Sequence, residues 1–159
     1  MGASTRYGRD GPSKDSGNLY RTRLEEVTSK YPRVLMLGES MGASAGLLFS
    51  DLATNVMAFC PQVDLSTAAI RPEFSEQCYG QLQSTLLGAL EKTEGKVVVH
   101  IGQWSPDQAQ ARILGDSKVE IVVHPIDNHR VAIELNRYNK LLPLIKDTII
   151  RELEMAAIA

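Results

Sequence analysis

Four short β-type runs, each followed by a helix-forming stretch, restrict the fold more than any other feature of this chain. They occupy residues 34–37 (VLML), 56–60 (VMAFC), 96–101 (KVVVHI) and 119–124 (VEIVVH). Helical patterns separate them at 43–52, roughly 73–92 and 106–114. A short helix after His129 and a longer one to the C-terminus follow the last run. Runs that are apolar at nearly every position suit strands covered on both faces. Strand–helix alternation in turn implies parallel neighbours joined by crossovers. The expectation is an α/β layered fold: a mostly parallel sheet of about four strands flanked by helices, its first strand an open edge. In the last helix Leu142, Ile145, Ile149 and Leu153 share one apolar face, with Pro143 in the first turn or at a kink.

Ahead of the first strand the chain changes character. Residues 1–17, MGASTRYGRDGPSKDSG, are rich in Gly, Ser and charge and lack periodicity. They read as a tail that is flexible alone or held by a partner. Asn18 is a candidate N-cap for a helix to about Lys30, closed by Pro32. Residues 18–159 then form a single domain, with neither an internal repeat nor a second domain. A chain of 159 residues is long enough to bury a real core.

Composition excludes several partners. The net charge of −2 gives no electrostatic reason to expect nucleic acid or an anionic membrane surface. No apolar run approaches the roughly 18 residues that a membrane-spanning helix needs. Cys60 and Cys78 make no disulfide framework and read as reduced thiols of an intracellular protein. The N-terminus lacks the apolar core of a secretory signal, and Arg6 stands where a myristoylation motif wants Ser or Thr. It is basic enough for an organellar leader, although Asp10 and Asp15 oppose that. The expected location is therefore cytoplasmic or organellar. No His, Cys, Asp or Glu spacing matches zinc or calcium, and no P-loop is present, so neither metal nor cofactor is expected.

Chemistry concentrates in GESMG, residues 38–42, between the first strand and its helix. A Gly-x-Ser-x-Gly turn in that position forces the serine into a sharp bend and presents its hydroxyl at the carboxyl edge of the sheet. The backbone N–H of Met41, at the helix start, would face a developing oxyanion. The plainer alternative is a tight glycine-bounded turn with an idle serine. A nucleophile needs a base, and His129, in the loop PIDNH after the last strand, lies at the same sheet edge. His100, inside a strand, and His124, just before Pro125, read as structural. Asp107 in GQWSPDQAQ is the candidate acid that orients the imidazole, and Asp64 in FCPQVDLS is its rival. Each also suits a plain role, Asp107 as a carboxylate in the first turn of a helix. Glu39 and Trp104 are candidates to line a substrate pocket, Trp104 equally a packing residue at a strand end.

The order Ser40, Asp107, His129 is that of α/β-hydrolases. The stretch VLMLGESMGASAGLLFSDLATNVMAFCPQVDLS resembles the nucleophile-elbow half of that superfamily, in particular bacterial-type hydrolases with a Gly-x-Ser-Met-Gly-Gly elbow. SPDQAQARIL and DNHRVAIEL are similar to the acid and histidine segments of the same group. The resemblance covers roughly residues 20–145 and implies Ser40 as nucleophile, Asp107 as acid, His129 as base and the Met41 N–H as half of an oxyanion hole. It implies a small ester or acyl substrate. Ala43 replaces the second glycine of the elbow. Full members carry several strands before the elbow, one of which supplies the second oxyanion donor. Only a helix and a tail precede it here, so the domain reads as a truncated version of that fold. Two outcomes stand open: a serine esterase or thioesterase, or an inactive remnant serving as a subunit whose sheet a protein partner or another chain completes.

Overall fold

The computed structural model describes residues 14–68, 75–115 and 117–158. Helix α1 (Lys14–Thr28) leads to strand β1 (Leu35–Glu39), helix α2 (Met41–Leu48), a 3-10 turn (Ser50–Leu52) and strand β2 (Asn55–Phe59). Helix α3 (Glu76–Lys92), strand β3 (Lys96–Ile101), helix α4 (Ser105–Ile113) and strand β4 (Val119–Val123) follow. Helices α5 (Val131–Arg137) and α6 (Leu141–Ile158) close the chain. The four strands form one sheet in the order β1-β2-β3-β4, every pair parallel. This is the α/β architecture expected from the alternation.

Sequential strand order with right-handed crossovers puts α2, α3 and α4 on one face of the sheet. Side-chain parity shows it directly. Val56, Ala58, Val97, Val99 and Ile101 point into one buried cluster with Ala43 and Leu47 of α2, Leu86 and Leu90 of α3, and Ala111 of α4. The alternate residues Met57 and Phe59 point the other way, to Val131 and Leu135 of α5 and Leu144 and Ile145 of α6. All five residues of β2 are buried, which is why that strand has no polar face to read. Among the described residues β1 and β4 are the edges, and Leu37 and Val123 are each about half exposed (51% and 53%).

Three local expectations change. Helix α1 starts at Lys14, so Asn18 lies inside it rather than capping it. The helix absorbs Gly17 and Asn18 because the good helix formers that follow offset their low propensity. Residues 1–13 of the expected tail, and the first two of the 73–92 helix, lie outside the described residues. Helix α2 begins at Met41, directly after Ser40, and ends at Leu48 before the 3-10 turn. In α6, Pro143 does sit in the first turn, but Leu144 and Ile145 make the packed stripe. Leu142, Ile149 and Leu153 are exposed, because among the described residues the buried cluster on this face meets α6 only at Leu141, Leu144 and Ile145.

The α5–α6 face of the sheet also buries a histidine pair. His100 stacks on Phe59 with ring centroids 4.7 Å apart, and its Nδ1 lies 3.1 Å from His124 Nε2. His100 Nε2 is buried and has no hydrogen-bond partner among the described residues. Burial, then the neighbouring His124, lowers the His100 pKa to about 4. An unfolded histidine titrates near 6.5, so between pH 6.5 and 4 the unfolded chain holds the extra proton. Stability contributed by neutral His100 is therefore complete above 6.5 and lost as pH falls towards 4. Unfolding titrations in urea should show about 3 kcal/mol more acid destabilisation in wild type than in His100→Leu over that window.

Candidate active site

The carboxyl ends of the strands are tied together by hydrogen bonds from the first residue past β1, β2 and β4. Ser40 N–H donates to Phe59 O (2.8 Å), Cys60 N–H to His100 O (2.9 Å) and His124 N–H to Ile101 O (2.8 Å). Ser40 and Cys60, the first residues beyond β1 and β2, both take positive φ, +53° and +48°. Such backbone is disfavoured for residues with a side chain and persists only where surroundings hold it. At Ser40 the surroundings are the turn itself. A Cβ on Gly38 would collide with the backbone of Gly42 and come within 2.7 Å of Ala43 N, so only glycine lets α2 double back so closely on β1. The Ser44 hydroxyl then pins α2 to the exit of β2, lying 2.8 Å from both Gln62 N and Gln62 O.

Ser40 Oγ lies 2.9 Å from His129 Nε2, and His129 Nδ1 lies 2.7 Å from Asp107 Oδ1. A carboxylate can only accept, so Nδ1 carries the hydrogen and Nε2 is free to accept from the serine. The Asp107 side chain is fully buried, and His129 is partly open to solvent. Trp104 meets the imidazole edge to face, with ring centroids 5.8 Å apart, and so packs against His129. The structure thus brings together Ser40, Asp107, His129 and Trp104, from the turn after β1, the loop and first turn of α4 after β3, and the loop after β4. The first amides of α2, Met41 among them, have no acceptor within their own helix. They open at the same edge as Ser40 Oγ.

The loop that leads into α4 and Asp107 is joined to the loop of His129. Gln103 N–H donates to Ile126 O at 2.7 Å, and a Cβ on Gly102 would collide with that same carbonyl. Asp64, the rival acid, is engaged elsewhere. Its carboxylate accepts from Ser66 N–H (2.8 Å) and Thr67 Oγ1 (3.1 Å), a local turn that leaves His129 to Asp107. Gln110 holds that turn away, accepting from the Val63 and Asp64 amides at 2.7 and 2.8 Å. Glu39, by parity on the α5 side of β1, does not stand free to line a pocket. Its Oε1 accepts from Ala132 N–H (3.2 Å) in the first turn of α5, two residues beyond the loop of His129. Of the remaining histidines, His100 and His124 pair with each other, as structural residues do.

Sequence spacing gave no hint of one neighbour. Donor atoms of Cys60, Asp107 and His129 lie within 4.8 Å of one another. Burial, followed by the charge of Asp107, pushes the Cys60 thiol far above its usual range, so it holds its proton. A protonated thiol is a poor metal ligand. Two shallow depressions, one bordered by Arg33, Leu35, Ile149 and Leu153 and one by Tyr31, Asp51 and Lys96, lie at the opposite, amino edge of the sheet. No family model matches the sequence, and no curated protein or solved structure matches it.

The two glycines of the turn should separate in mutagenesis. Gly38→Ala is expected to lose about 3 kcal/mol or more, since backbone must move. Gly42→Ala meets nothing within 4 Å and replaces a glycine inside a helix, so it should gain up to about 1 kcal/mol. Thermal or urea unfolding of the pair reads both signs.

Proposed function

We propose that this chain is a serine hydrolase of the α/β-hydrolase type, acting on an ester or thioester. The observation that carries the reading is the unbroken path Ser40 Oγ–His129 Nε2 and His129 Nδ1–Asp107 Oδ1, at 2.9 and 2.7 Å. Ser40 attacks the acyl carbonyl while His129 takes its proton, and His129 returns that proton to the leaving oxygen or sulfur. Asp107 keeps the imidazole in the tautomer that can accept and balances the charge it gains. A water activated by His129 then releases the acid. The Met41 N–H and the α2 N-terminus stabilise the tetrahedral oxyanion. Met41 is the one oxyanion donor assigned among the described residues. A site lacking the second donor turns over about 10²–10³ slower than a complete one.

A fluorophosphonate probe tests the reading without a known substrate. Wild type should label in a time-dependent way and Ser40→Ala not at all. Asp107→Asn should slow labelling by about 10⁴, because the amide selects the wrong imidazole tautomer. A wild-type protein that stays unlabelled, or a Ser40→Ala variant that labels equally, rejects it.

A second reading draws on the sheet edge. Strand β1, which carries the serine, has no outer neighbour among the described residues, and Leu37 and Met41 beside it are each 51% exposed. Such an edge suits an accessory subunit whose sheet continues into a partner. An unlabelled protein that light scattering shows as a dimer or higher assembly would favour it. A labelled, monodisperse monomer would count against it.

A further inference from the structure

Asp107 uses one of its two carboxylate oxygens on His129. The other, Oδ2, is buried, and no nitrogen or oxygen donor among the described residues reaches it. A buried carboxylate oxygen without a donor is costly, and the group that faces it matters. A candidate within reach is Cys60, 1% exposed, whose sulfur lies within 4.8 Å of one Asp107 carboxylate oxygen and one His129 ring nitrogen. The backbone explains how it gets there. With φ at +48°, Cys60 turns out of the β2 ladder one residue after Phe59, while its N–H stays tied to His100 O. Alternation would have sent this side chain to the α2–α4 face; it packs with Phe59, Val131 and Ile126 instead.

We propose that Cys60 is a positioning residue whose S–H donates to Asp107 Oδ2, extending the path to Cys60–Asp107–His129–Ser40. The thiol's raised pKa keeps the hydrogen in place across the working pH range. The donor has two effects. It fixes the carboxylate plane, so that Oδ1 stays aimed at Nδ1. It also draws negative charge to Oδ2, which tunes how strongly Oδ1 holds the imidazole hydrogen. Sulfur suits this place because a weak donor satisfies Oδ2 without pulling the carboxylate away from His129. The effect on turnover rests on the hydrolase reading; the hydrogen bond itself does not.

Two observables separate these. The low-field proton resonance of His129 Nδ1–H should move further downfield in Cys60→Ala, where Oδ1 carries more charge, and return towards wild type in Cys60→Ser. The infrared S–H stretch, isolated by subtracting the Cys60→Ser spectrum, should be shifted to lower frequency in wild type and relax in Asp107→Asn. That measurement serves even if Cys60→Ala fails to fold. Fluorophosphonate labelling should slow about tenfold in Cys60→Ala and within about threefold of wild type in Cys60→Ser. An Nδ1–H resonance and S–H stretch that ignore these changes overturn the proposal. Resonances that shift as stated in a protein that never labels uphold the hydrogen bond and reject the hydrolase reading instead.

Discussion

The site depends on how a parallel sheet ends. Its hydrogen bonds run on past the last strand residue of β1, β2 and β4, and so tie Ser40, Cys60 and His124 to the neighbouring strands at the edge. Two of these residues, Ser40 and Cys60, stand at positive φ. Each such residue carries strain of about 1–3 kcal/mol that the ladder and the turns around it must hold. The ladder does so because β2 and β3 are buried on both faces and cannot slip by one residue without reversing every side chain. Precision at the edge is thus inherited from burial in the middle of the sheet.

From this base the site is assembled by loop-to-loop ties rather than by any one long element. Ser44 fastens α2 to the exit of β2, Gln110 fastens that exit to α4, Gln103 fastens the exit of β3 to the histidine loop, and Glu39 reaches from the elbow to α5. The ties form a closed circuit under Ser40, Asp107 and His129. Asp64 and Asp107 show what the circuit decides. Both are aspartates just beyond a strand, yet the ties turn Asp64 onto its own loop and leave Asp107 buried beneath the imidazole.

Elements with a strong period were readable from sequence alone, and so was the class of fold. The apolar runs 96–101 and 119–124 correspond to β3 and β4 within a residue, because continuous burial writes itself into composition. Residues 34–46 likewise announced a turn, since glycine spacing and helix start are local. What stayed hidden depends on three dimensions. Asn18 looked like a cap because its side chain suits one, but helix α1 had already begun. Leu142, Ile149 and Leu153 made an apolar stripe that no layer covers. Asp64 could not be told from Asp107 by position, Glu39 could not be seen to reach Ala132, and Cys60 was simply a core thiol. The signal that could have found Cys60 is its place immediately after VMAF, where a strand must end and a side chain can change face.

From β1 onward the chain stays on one side of the sheet for every crossover, then passes to the other side once, between β4 and α5. His129 sits in that single passage. The two cores meet through the sheet, and the imidazole lies where the chain steps from one to the other. The hydrogen bond from Ala132 N–H in the first turn of α5 to Glu39 Oε1 ties that layer to the turn of Ser40, so the placement of His129 is fixed from the side of the serine as well as from its own loop.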